Sequence, residues 1–332
     1  MTPPVHPIRQ GLRLRPARWT PSGPLDALIR LALTAPLGLA LVALSGIGHR
    51  WFDILAQFTV PALAATAAAT AVLALTRLRM AALHGLAACA ALLIAVAPQW
   101  FPDGPPSEAG APTVRLYSAN LYYLNDDVAA IRASIEAADA DVVVLIELGQ
   151  AATARIDEVL EGYPHRATSM RMDQTRGPSR SVIGSRFPLT ALDDPPDGLH
   201  AVAAVARTPL GRLNIVGVHL TRPWPFQEQW GQISQTMALQ EVVENLDGPV
   251  VVSGDFNSVS SARIGKQIRR ELGLHPAPGF PGTWPAKAPA PVSLTIDQVY
   301  ASPGLAFESR RLGQPTGSDH RPVVTEFTRA AR

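Results

Sequence analysis

The feature that most constrains this chain is a succession of three apolar runs, free of charged residues, in its first hundred positions. The runs are Leu31–Gly48, Ile54–Thr76 and Met80–Pro102. Each has about the 17 to 25 residues that a helix needs to cross a bilayer. The first run is the shortest and contains Pro36, so we expect its helix to begin within Leu25–Ile29 despite Arg30. Three such runs in succession favour a membrane region over a buried helical core, and over a cleaved signal peptide.

Arginine placement predicts the orientation of these spans. Four arginines precede the first span and two lie between the second and third, whereas the first loop carries only Arg50. Positively charged loops remain in the cytoplasm. We therefore expect residues 1–24 to form a cytoplasmic tail, residues 25–102 three transmembrane helices, and the rest to lie on the extracytoplasmic side of the cell (inner) membrane.

Charge is distributed unevenly between the two parts of the chain. Residues 1–110 carry eight arginines and four acids, a net charge of +4, whereas residues 111–332 carry 21 basic and 23 acidic residues, a net charge of −2. The near-neutral second part lacks the general basic surface of a tight nucleic-acid binder. The single cysteine, Cys89, lies in an apolar run, which excludes disulfides and cysteine-based metal sites. A segment rich in proline and glycine, 103–111, is predicted to link the two parts.

From residue 112 to residue 330 the sequence alternates apolar, β-rich segments with segments of helical spacing. The predicted strands are 113–123, 141–148, 181–185, 200–207, 212–220 and 249–257, followed by "IDQVYAS" and "RPVVTEF"; the predicted helices are 126–140, 151–161 and 225–246. Continuous apolar strands are typical of sheets that are covered on both faces. The pattern therefore predicts an α/β sandwich, with Asp126 or Asp127 as the N-cap of the first helix.

Eight polar residues lie at or just beyond the ends of apolar strands. They are Asn120, Glu147, His219, Asp255, Asn257, Asp297, Asp319 and His320. Strand ends of one sheet lie together at one edge, where α/β proteins build their sites. A single Asp or Asn there is more often a turn former or a helix cap, but a turn does not require Glu147 or the adjacent Asp and His of "SDH". Asp255 and Asn257 are two apart, so in a strand we expect both side chains on one side.

Six segments, in this order, resemble the motifs of the endonuclease/exonuclease/phosphatase superfamily. They are "SANL", "LIEL", "VHLT", "SGDFNS", "TIDQVY" and "GSDHRPVV". The resemblance covers residues 112–328, and "GDFN" and "SDH" are its most specific marks. It implies a four-layer α/β sandwich, in which two packed β-sheets are flanked by helices, and hydrolysis of a phosphate ester assisted by Mg²⁺ or Mn²⁺. A hard cation suits this reaction because it offsets the negative charge that repels an attacking hydroxide.

The same resemblance implies a role for each polar residue. The metal-site positions correspond to Glu147, Asn120 and Asp319. The catalytic positions correspond to Asp255, Asn257, His320, His219 and Asp297. Among these, Asp255 would orient and deprotonate the attacking water, while Asn257 and His320 would contact the phosphate. Asp297 would pair with His320, and His219 is the histidine found in the deoxyribonuclease and sphingomyelinase branches.

The substrate is less closely defined than the reaction. Candidate substrate-binding residues are Arg180, Arg222, Trp224 and Trp284. Arg180 belongs to an arginine-rich segment, 171–186, that is either a solvated loop or a phosphate-facing rim, and the tryptophans either contact substrate or only pack. Two enzymatic interpretations stay open: a membrane-anchored phosphodiesterase or phosphatase acting on a lipid headgroup or small phosphoester, and an extracytoplasmic endo- or exonuclease acting on DNA or RNA. A third is a non-catalytic binding module on the same fold.

Overall fold

The structure, a computed structural model, describes residues 23–169, 172, 179–193, 195–224 and 228–331. It contains an N-terminal bundle of helices and a sandwich of two β-sheets with helices on their outer faces. The fold is therefore a four-layer α/β sandwich that follows an all-helical region, as the sequence predicts. The four arginines of the predicted cytoplasmic tail lie outside the described residues.

Four helices form the described N-terminal bundle. They are α1 (Pro24–Ser45), α2 (Arg50–Ala56), α3 (Thr59–Ala74) and α4 (Arg79–Trp100). Helices α1 and α4 are each 22 residues long and apolar enough to cross a membrane. The first begins at Pro24, so it does extend past Arg30 as expected. Helices α2 and α3 are bent by 57° relative to each other, so the described residues hold two candidate spans, or three if this bent pair is one span.

The bend corrects the prediction of one continuous helix over residues 54–76. Pro61 is the third residue of α3. Proline has no N–H to donate to the carbonyl four residues earlier, here that of Gln57, and its ring clashes with that carbonyl in a continuous helix. Phe58, at the break, packs against Trp224 of the sandwich with ring centroids 5.6 Å apart. The break therefore has a local cause and a tertiary contact.

Each sheet contains six strands within the described residues. The first sheet has the order β11 (Leu305–Leu312), β12 (Val323–Arg329), β1 (Val114–Asn120), β2 (Val142–Ile146), β4 (Ser181–Ser185), β3 (His165–Thr168). The second has the order β5 (Leu189–Ala191), β6 (His200–Thr208), β7 (Gly211–His219), β8 (Val250–Asp255), β10 (Asp297–Ala301), β9 (His275–Pro276). One parallel pair lies at the centre of each sheet, β1 with β2 and β7 with β8, and the other pairs are antiparallel.

Apolar side chains fill the space between the sheets and both outer faces. Leu116, Val144, Ile215 and Val251 belong to the core between the sheets. The outer face of the first sheet packs on helices α5 (Val128–Ala138), α6 (Gln150–Ala154) and α7 (Ile156–Val159). The outer face of the second sheet packs on helices α8 (Gln229–Glu244) and α9 (Arg263–Glu271). Burial on both faces is the reason that the inner strands are continuously apolar.

Sequence patterns did not predict four strands and helix α9, and the four strands share one physical cause. The four strands concerned, β3, β5, β9 and β11, are the four edge strands of the two sheets. Edge strands are partly exposed and need no continuous apolar run. Helix α9 buries only Ile264, Gly265 and Ile268, and its other positions are mostly basic or polar. The predicted cap is confirmed, because Asp127 Oδ1 accepts the Ala130 N–H at 3.0 Å.

One end of the helical bundle contacts the sandwich. An apolar cluster joins Ala56 and Phe58 of the bundle to Ile296 and Trp284 of the sandwich. Asp53 Oδ2 lies 3.4 Å from Arg263 Nη1. The Gly279 N–H donates to the Gln99 carbonyl at 2.8 Å. The ends of α1 and α4 and all of α2 therefore lie on the side that faces the sandwich.

Candidate active site

Strand register places three of the candidate residues side by side. His219 is the last residue of β7, Asp255 the last of β8, and Asp297 the first of β10. The register pairs His219 with Asp255 in the parallel ladder and Asp297 with Asp255 in the antiparallel one. The carboxyl end of β8 therefore lies between a histidine and a second carboxylate.

The first sheet contributes Asn120 and Glu147. Asn120 ends β1 and pairs with Ile146, the last residue of β2. Glu147 follows with φ of 53°, a left-handed conformation that is uncommon outside glycine and is found at functional sites. The Asn120 amide Nδ2 donates to Glu147 Oε1 at 2.9 Å and to Asp255 Oδ2 at 3.1 Å. One side chain thus joins the strand ends of the two sheets.

The side chains of Asp255 and Asn257 lie close together, but not because both point to one side of a strand, as the sequence predicts. The strand β8 ends at Asp255, and Asn257 lies beyond it with φ of 47°. The Asn257 backbone N–H donates to Asp255 Oδ1 at 2.7 Å, and its amide Nδ2 lies 3.3 Å from Asp255 Oδ2 and donates to the Leu220 carbonyl at 2.9 Å. A tight turn closed by the aspartate, not an extended strand, therefore brings the two side chains together.

Gly254 is required by the same local geometry. Its φ is 141°, and a Cβ at this position would lie 2.0 Å from the Val218 carbonyl oxygen of β7. Only glycine tolerates both the backbone conformation and this close approach. The "GD" pair therefore fixes where the Asp255 carboxylate enters the site.

His320 is held by a carboxylate. Its Nδ1 lies 2.9 Å from Asp297 Oδ2 and 3.1 Å from Oδ1, and its Nε2 points toward Asp255 Oδ2 at 3.8 Å. Burial alone lowers the pKa of His320, but the neighbouring carboxylates of Asp297 and Asp255 outweigh it and raise the pKa to about 10. The imidazole is therefore cationic at neutral pH. Ser318 fixes the loop, since its hydroxyl donates to the Asn120 carbonyl at 2.8 Å and accepts the His320 N–H at 3.1 Å.

His219 completes the cluster around Glu147. Its Nε2 lies 3.1 Å from Glu147 Oε1 and 4.0 Å from Asp255 Oδ2. Asp255 is only 1% exposed. Burial raises the pKa of Asp255, and the neighbouring His320 partly offsets this increase. A carboxylate whose pKa is raised in this way is a better proton acceptor than an ordinary aspartate.

Asp319 occupies a more open position than the other candidates. Its side chain is 47% exposed, and its Oδ1 lies 4.0 Å from His320 Nε2. The Trp284 indole N–H donates to Asp319 Oδ2 at 3.1 Å. Trp284 thus orients the carboxylate predicted to belong to the metal site, a contact that spacing along the sequence does not reveal.

Six of the eight candidates line one cavity of about 570 Å³, namely Glu147, His219, Asp255, Asn257, Asp319 and His320. Asn120 and Asp297 are not among its lining residues but hydrogen-bond to residues that are. Three of the four predicted substrate-binding residues, Arg222, Trp224 and Trp284, line the cavity. The rings of Trp224 and Trp284 pack edge to face with centroids 5.8 Å apart, and the Arg222 guanidinium lies 5.7 Å from the Trp224 ring centre. The cavity is therefore walled by aromatic side chains next to the acidic and histidine cluster.

Arg180 does not line this cavity. It is 4% exposed and its Nε donates to the Leu148 carbonyl at 3.0 Å, directly after Glu147. Arg186, at the other end of β4, pairs with Asp139 on the surface at 2.7 Å. Arg171 and Arg176 lie outside the described residues. The described arginines of this segment therefore have structural contacts and do not form a common rim.

Six of the described cavity-lining residues were not among the candidates, and three of these six are tyrosine or histidine residues. Tyr122 and Tyr123 follow Asn120, and His200 lies opposite His219 in the β6–β7 ladder with ring centroids 6.4 Å apart. The aromatic pair directly after "SANL" is a usable signal, because the end of β1 is predicted to lie at the site edge. His200 begins a strand, and only the register with His219 reveals its position.

The donor set fits a hard divalent cation. Glu147, His219 and Asp255 each offer a ligand atom within 4.8 Å of the others, and so do Asp255, Asp297 and His320. Among the described residues, the ion pairs of these carboxylates are made to histidines. Buried carboxylates require a countercharge, and carboxylate oxygens are among the ligands that Mg²⁺ prefers.

Comparison with known proteins agrees with this geometry. Residues 117–320 match the model of the Endonuclease/Exonuclease/phosphatase family. The UPF0294 protein VP2298 of Vibrio parahaemolyticus is 31% identical over 118 residues, which is 35% of this chain and 40% of that relative. The match therefore spans less than half the length of this curated relative.

Solved structures share the fold at low sequence identity. An endonuclease/exonuclease/phosphatase from Bacteroides vulgatus superposes with a TM-score of 0.53 and 17% identity, covering 66% of this chain and 99% of that one. One from Beutenbergia cavernae gives 0.51 and 20%, covering 66% and 72%. Since the family match spans more than half of the sequence and the sandwich is that of these structures, the chain belongs to the endonuclease/exonuclease/phosphatase family.

Proposed function

We propose that this protein is a membrane-anchored, divalent-metal-dependent phosphoesterase that hydrolyses phosphodiester or phosphomonoester bonds on the extracytoplasmic side of the cell membrane. The observation that carries the proposal is the Asn120 amide, which holds Glu147 and Asp255 within 3.1 Å of one nitrogen. The His320–Asp297 pair lies beside them. A general base, a cation and a group of metal-ligand type thus meet in one cavity.

Glu147 and Asp319 would hold Mg²⁺ or Mn²⁺ in this site, and Asn120 would contribute by orienting the Glu147 carboxylate through its amide N–H. The bound cation would supply positive charge that offsets the anionic phosphoester and polarises its P–O bond. Glu147 is buried and Asp319 is open to the cavity. One buried and one accessible carboxylate suit Mg²⁺, which is bound by one or two carboxylates and keeps several waters.

The chain's own residues divide the remaining tasks. Asp255 accepts a proton from the attacking water, since it is the most buried carboxylate of the cluster and its pKa is raised. Cationic His320 donates from Nε2 to a phosphoryl oxygen, and Asp297 keeps its Nδ1 protonated. Asn257 lines the cavity with one amide N–H donating to the Leu220 carbonyl, and its second amide N–H, 3.3 Å from Asp255 Oδ2, would exchange this contact for one to the phosphate. Each such group contributes about 10²-fold or more to the rate.

The end of the helical bundle that contacts the sandwich supports the proposed membrane anchoring. Ala43, Asp53, Phe58 and Gln99 make contacts to the sandwich, and all lie at the end of the bundle that arginine placement predicts to be extracytoplasmic. Arg77, in the loop between α3 and α4, and Arg79, the first residue of α4, lie at the opposite ends of those helices. This arrangement agrees with the positive-inside rule.

The position of the cavity favours a substrate at the membrane surface. A chain of ring contacts runs from Phe58 in the bundle to Trp224, then Trp284, then His320, with centroid distances of 5.6, 5.8 and 6.4 Å. The wall of the cavity is therefore continuous with the bundle. Aromatic side chains at a bilayer surface contact headgroups, so a lipid headgroup or a small phosphoester fits better than a long duplex.

A panel of substrates tests the proposal on the full chain purified in detergent. We expect Mg²⁺-dependent hydrolysis of bis-p-nitrophenyl phosphate that falls at least about 10²-fold in Glu147→Gln and is retained in Glu244→Gln, the same change at the exposed end of α8. Sphingomyelin, phosphatidylinositol phosphates and plasmid DNA are then compared. Cleavage of DNA alone would establish the nuclease alternative, and metal binding without any hydrolysis would establish the binding module.

A further inference from the structure

A second cavity, of about 830 Å³, lies between the helical bundle and the sandwich. Residues 42–48 at the end of α1, Phe52 in α2 and Pro98 in α4 form its bundle side, and α8 and α9 form its other side. None of its lining residues belongs to the candidate active site. Its volume is within the range of about 300 to 1,000 Å³ that is usual for ligand sites.

The α9 side of this cavity is strongly basic. Four cationic residues line it, Arg263, Lys266, Arg269 and Arg270, against two acids, Asp53 and Glu271. The lining therefore has a net charge of +2, and its four cationic residues all belong to residues 111–332, a part of the chain with a net charge of −2. This concentration of charge favours an anionic occupant.

The acids leave most of this positive charge unpaired. Asp53 is engaged by Arg263 at 3.4 Å, and Lys266 Nζ donates to the Ala43 carbonyl at 3.2 Å. Within the described ranges, Lys266, Arg269 and Arg270 have no ion pair. Burial lowers the pKa of Lys266, and repulsion from the two arginines lowers it further. An anion bound among them relieves that repulsion.

The bundle side of the cavity, opposite the basic residues of α9, indicates which kind of molecule carries the anion. Val42, Leu44 and Ile47 line the bundle side at or just beyond the end of α1, a helix long and apolar enough to cross a membrane, and Phe52 of α2 lies beside them. A phosphate next to the cations therefore has apolar surface of candidate membrane helices beside it. A free phosphate uses only the basic wall, whereas a phospholipid uses both walls.

We propose that this cavity binds the headgroup of an anionic membrane phospholipid, with its phosphate against Lys266, Arg269 and Arg270 and its acyl chains along α1 and α4. Bound lipid fixes the sandwich on the bilayer with the active-site cavity beside the surface. The inference rests on the proposed membrane anchoring and is independent of the proposed hydrolysis.

Native mass spectrometry of the full chain in detergent tests this site without any turnover. Dioctanoyl phosphatidylglycerol and dioctanoyl phosphatidylcholine are the two lipid probes, with glycerol 1-phosphate and inorganic phosphate as soluble ones. We expect the unaltered chain to retain phosphatidylglycerol in preference to phosphatidylcholine and to bind the soluble phosphates much more weakly. In Arg269→Gln/Arg270→Gln, affinity for phosphatidylglycerol should fall roughly 30-fold, from about 1 kcal/mol per basic residue near a membrane surface.

The control is Arg207→Gln/Arg212→Gln, an equal loss of charge at an exposed cross-strand pair in the β6–β7 hairpin. It should bind phosphatidylglycerol like the unaltered chain. Equal losses in both double variants would attribute binding to net charge and overturn the site. Equal retention of the two lipids by the unaltered chain would overturn the lipid site without reference to any variant. Binding of glycerol 1-phosphate as tight as that of phosphatidylglycerol would assign the cavity to a free phosphoester. Recovery of the chain outside the membrane fraction would instead refute the anchoring.

Discussion

The Asp297→Asn substitution should move the alkaline limb of the pH–rate profile to lower pH. Asp297 contacts His320 Nδ1 through both carboxylate oxygens, at 2.9 and 3.1 Å, and is the largest of the influences that raise the pKa of His320 to about 10. Asparagine keeps the shape and can still accept from Nδ1, but it removes the charge. The substitution therefore tests the electrostatic role of Asp297 with little change in packing.

The size of the effect follows from the proximity of the pair. A single opposite charge within 4–6 Å shifts a pKa by about 1 to 3 units, so the pKa of His320 should fall from about 10 to roughly 7–9. At pH 9 the protonated fraction would then decrease from about nine-tenths to between about one-half and one-hundredth. The rate should decrease in proportion if the imidazolium is the form that stabilises the transition state.

The assay is kcat/KM for bis-p-nitrophenyl phosphate from pH 6 to pH 9.5 at saturating Mg²⁺. The unaltered chain should keep its rate up to about pH 9 and Asp297→Asn should lose it, while His320→Gln should show a low rate without this limb. Asp247→Asn, an exposed aspartate that precedes β8 at its other end, is the matched control. An Asp297→Asn profile that superimposes on the unaltered one after scaling would refute the reasoning.

Three further predictions concern the same edge of the sandwich. Gly254→Ala should lower Tm by roughly 6–12 °C, equivalent to about 3 kcal/mol, because its Cβ meets a backbone carbonyl at 2.0 Å. Gly304→Ala, with open space around the new Cβ, should leave Tm unchanged. Equal Tm values for the two variants would contradict the close approach of Gly254 to that carbonyl. In metal-free buffer, the raised pKa of His320 contributes stability that is complete below about pH 6.5 and is lost as pH rises through about 10. The Tm difference between the unaltered chain and His320→Gln should therefore shrink from pH 7 to pH 10. A constant difference argues against a raised pKa. Trp284→Phe removes the N–H that holds Asp319, so the Mg²⁺ concentration for half-maximal rate should rise about 10- to 100-fold, and an unchanged value would remove Asp319 from the metal site.

The arrangement of strand ends could be predicted because it depends on local pattern. Continuous apolar runs identify strands buried on both faces, and polar residues that follow such runs must leave the core at the sheet edge. Asn120, Glu147, His219 and Asp255 were found in this way. Their roles required more than local pattern and came from the family resemblance.

Contacts between distant segments could not be predicted in this way. The Asn120 amide bridges two sheets, and the relative placement of the sheets is not encoded in either strand. Helix α9 has few apolar residues, so its basic face has no signature of burial until the bundle packs near it. The bend at residues 57–58 is an intermediate case, since Pro61 was visible in the sequence but lies within a run of uniform hydropathy.

The proposed function depends most directly on the binding of a divalent cation by Glu147 and its neighbours in this cavity. Mn²⁺ binding to the metal-stripped full chain, followed as loss of the free Mn²⁺ signal in electron paramagnetic resonance, measures this directly. We predict that the unaltered chain and Glu244→Gln bind Mn²⁺ equally, and that Glu147→Gln binds it at least about tenfold more weakly. Equal Mn²⁺ affinity of Glu147→Gln and the unaltered chain would contradict the assignment of this cluster as the metal site.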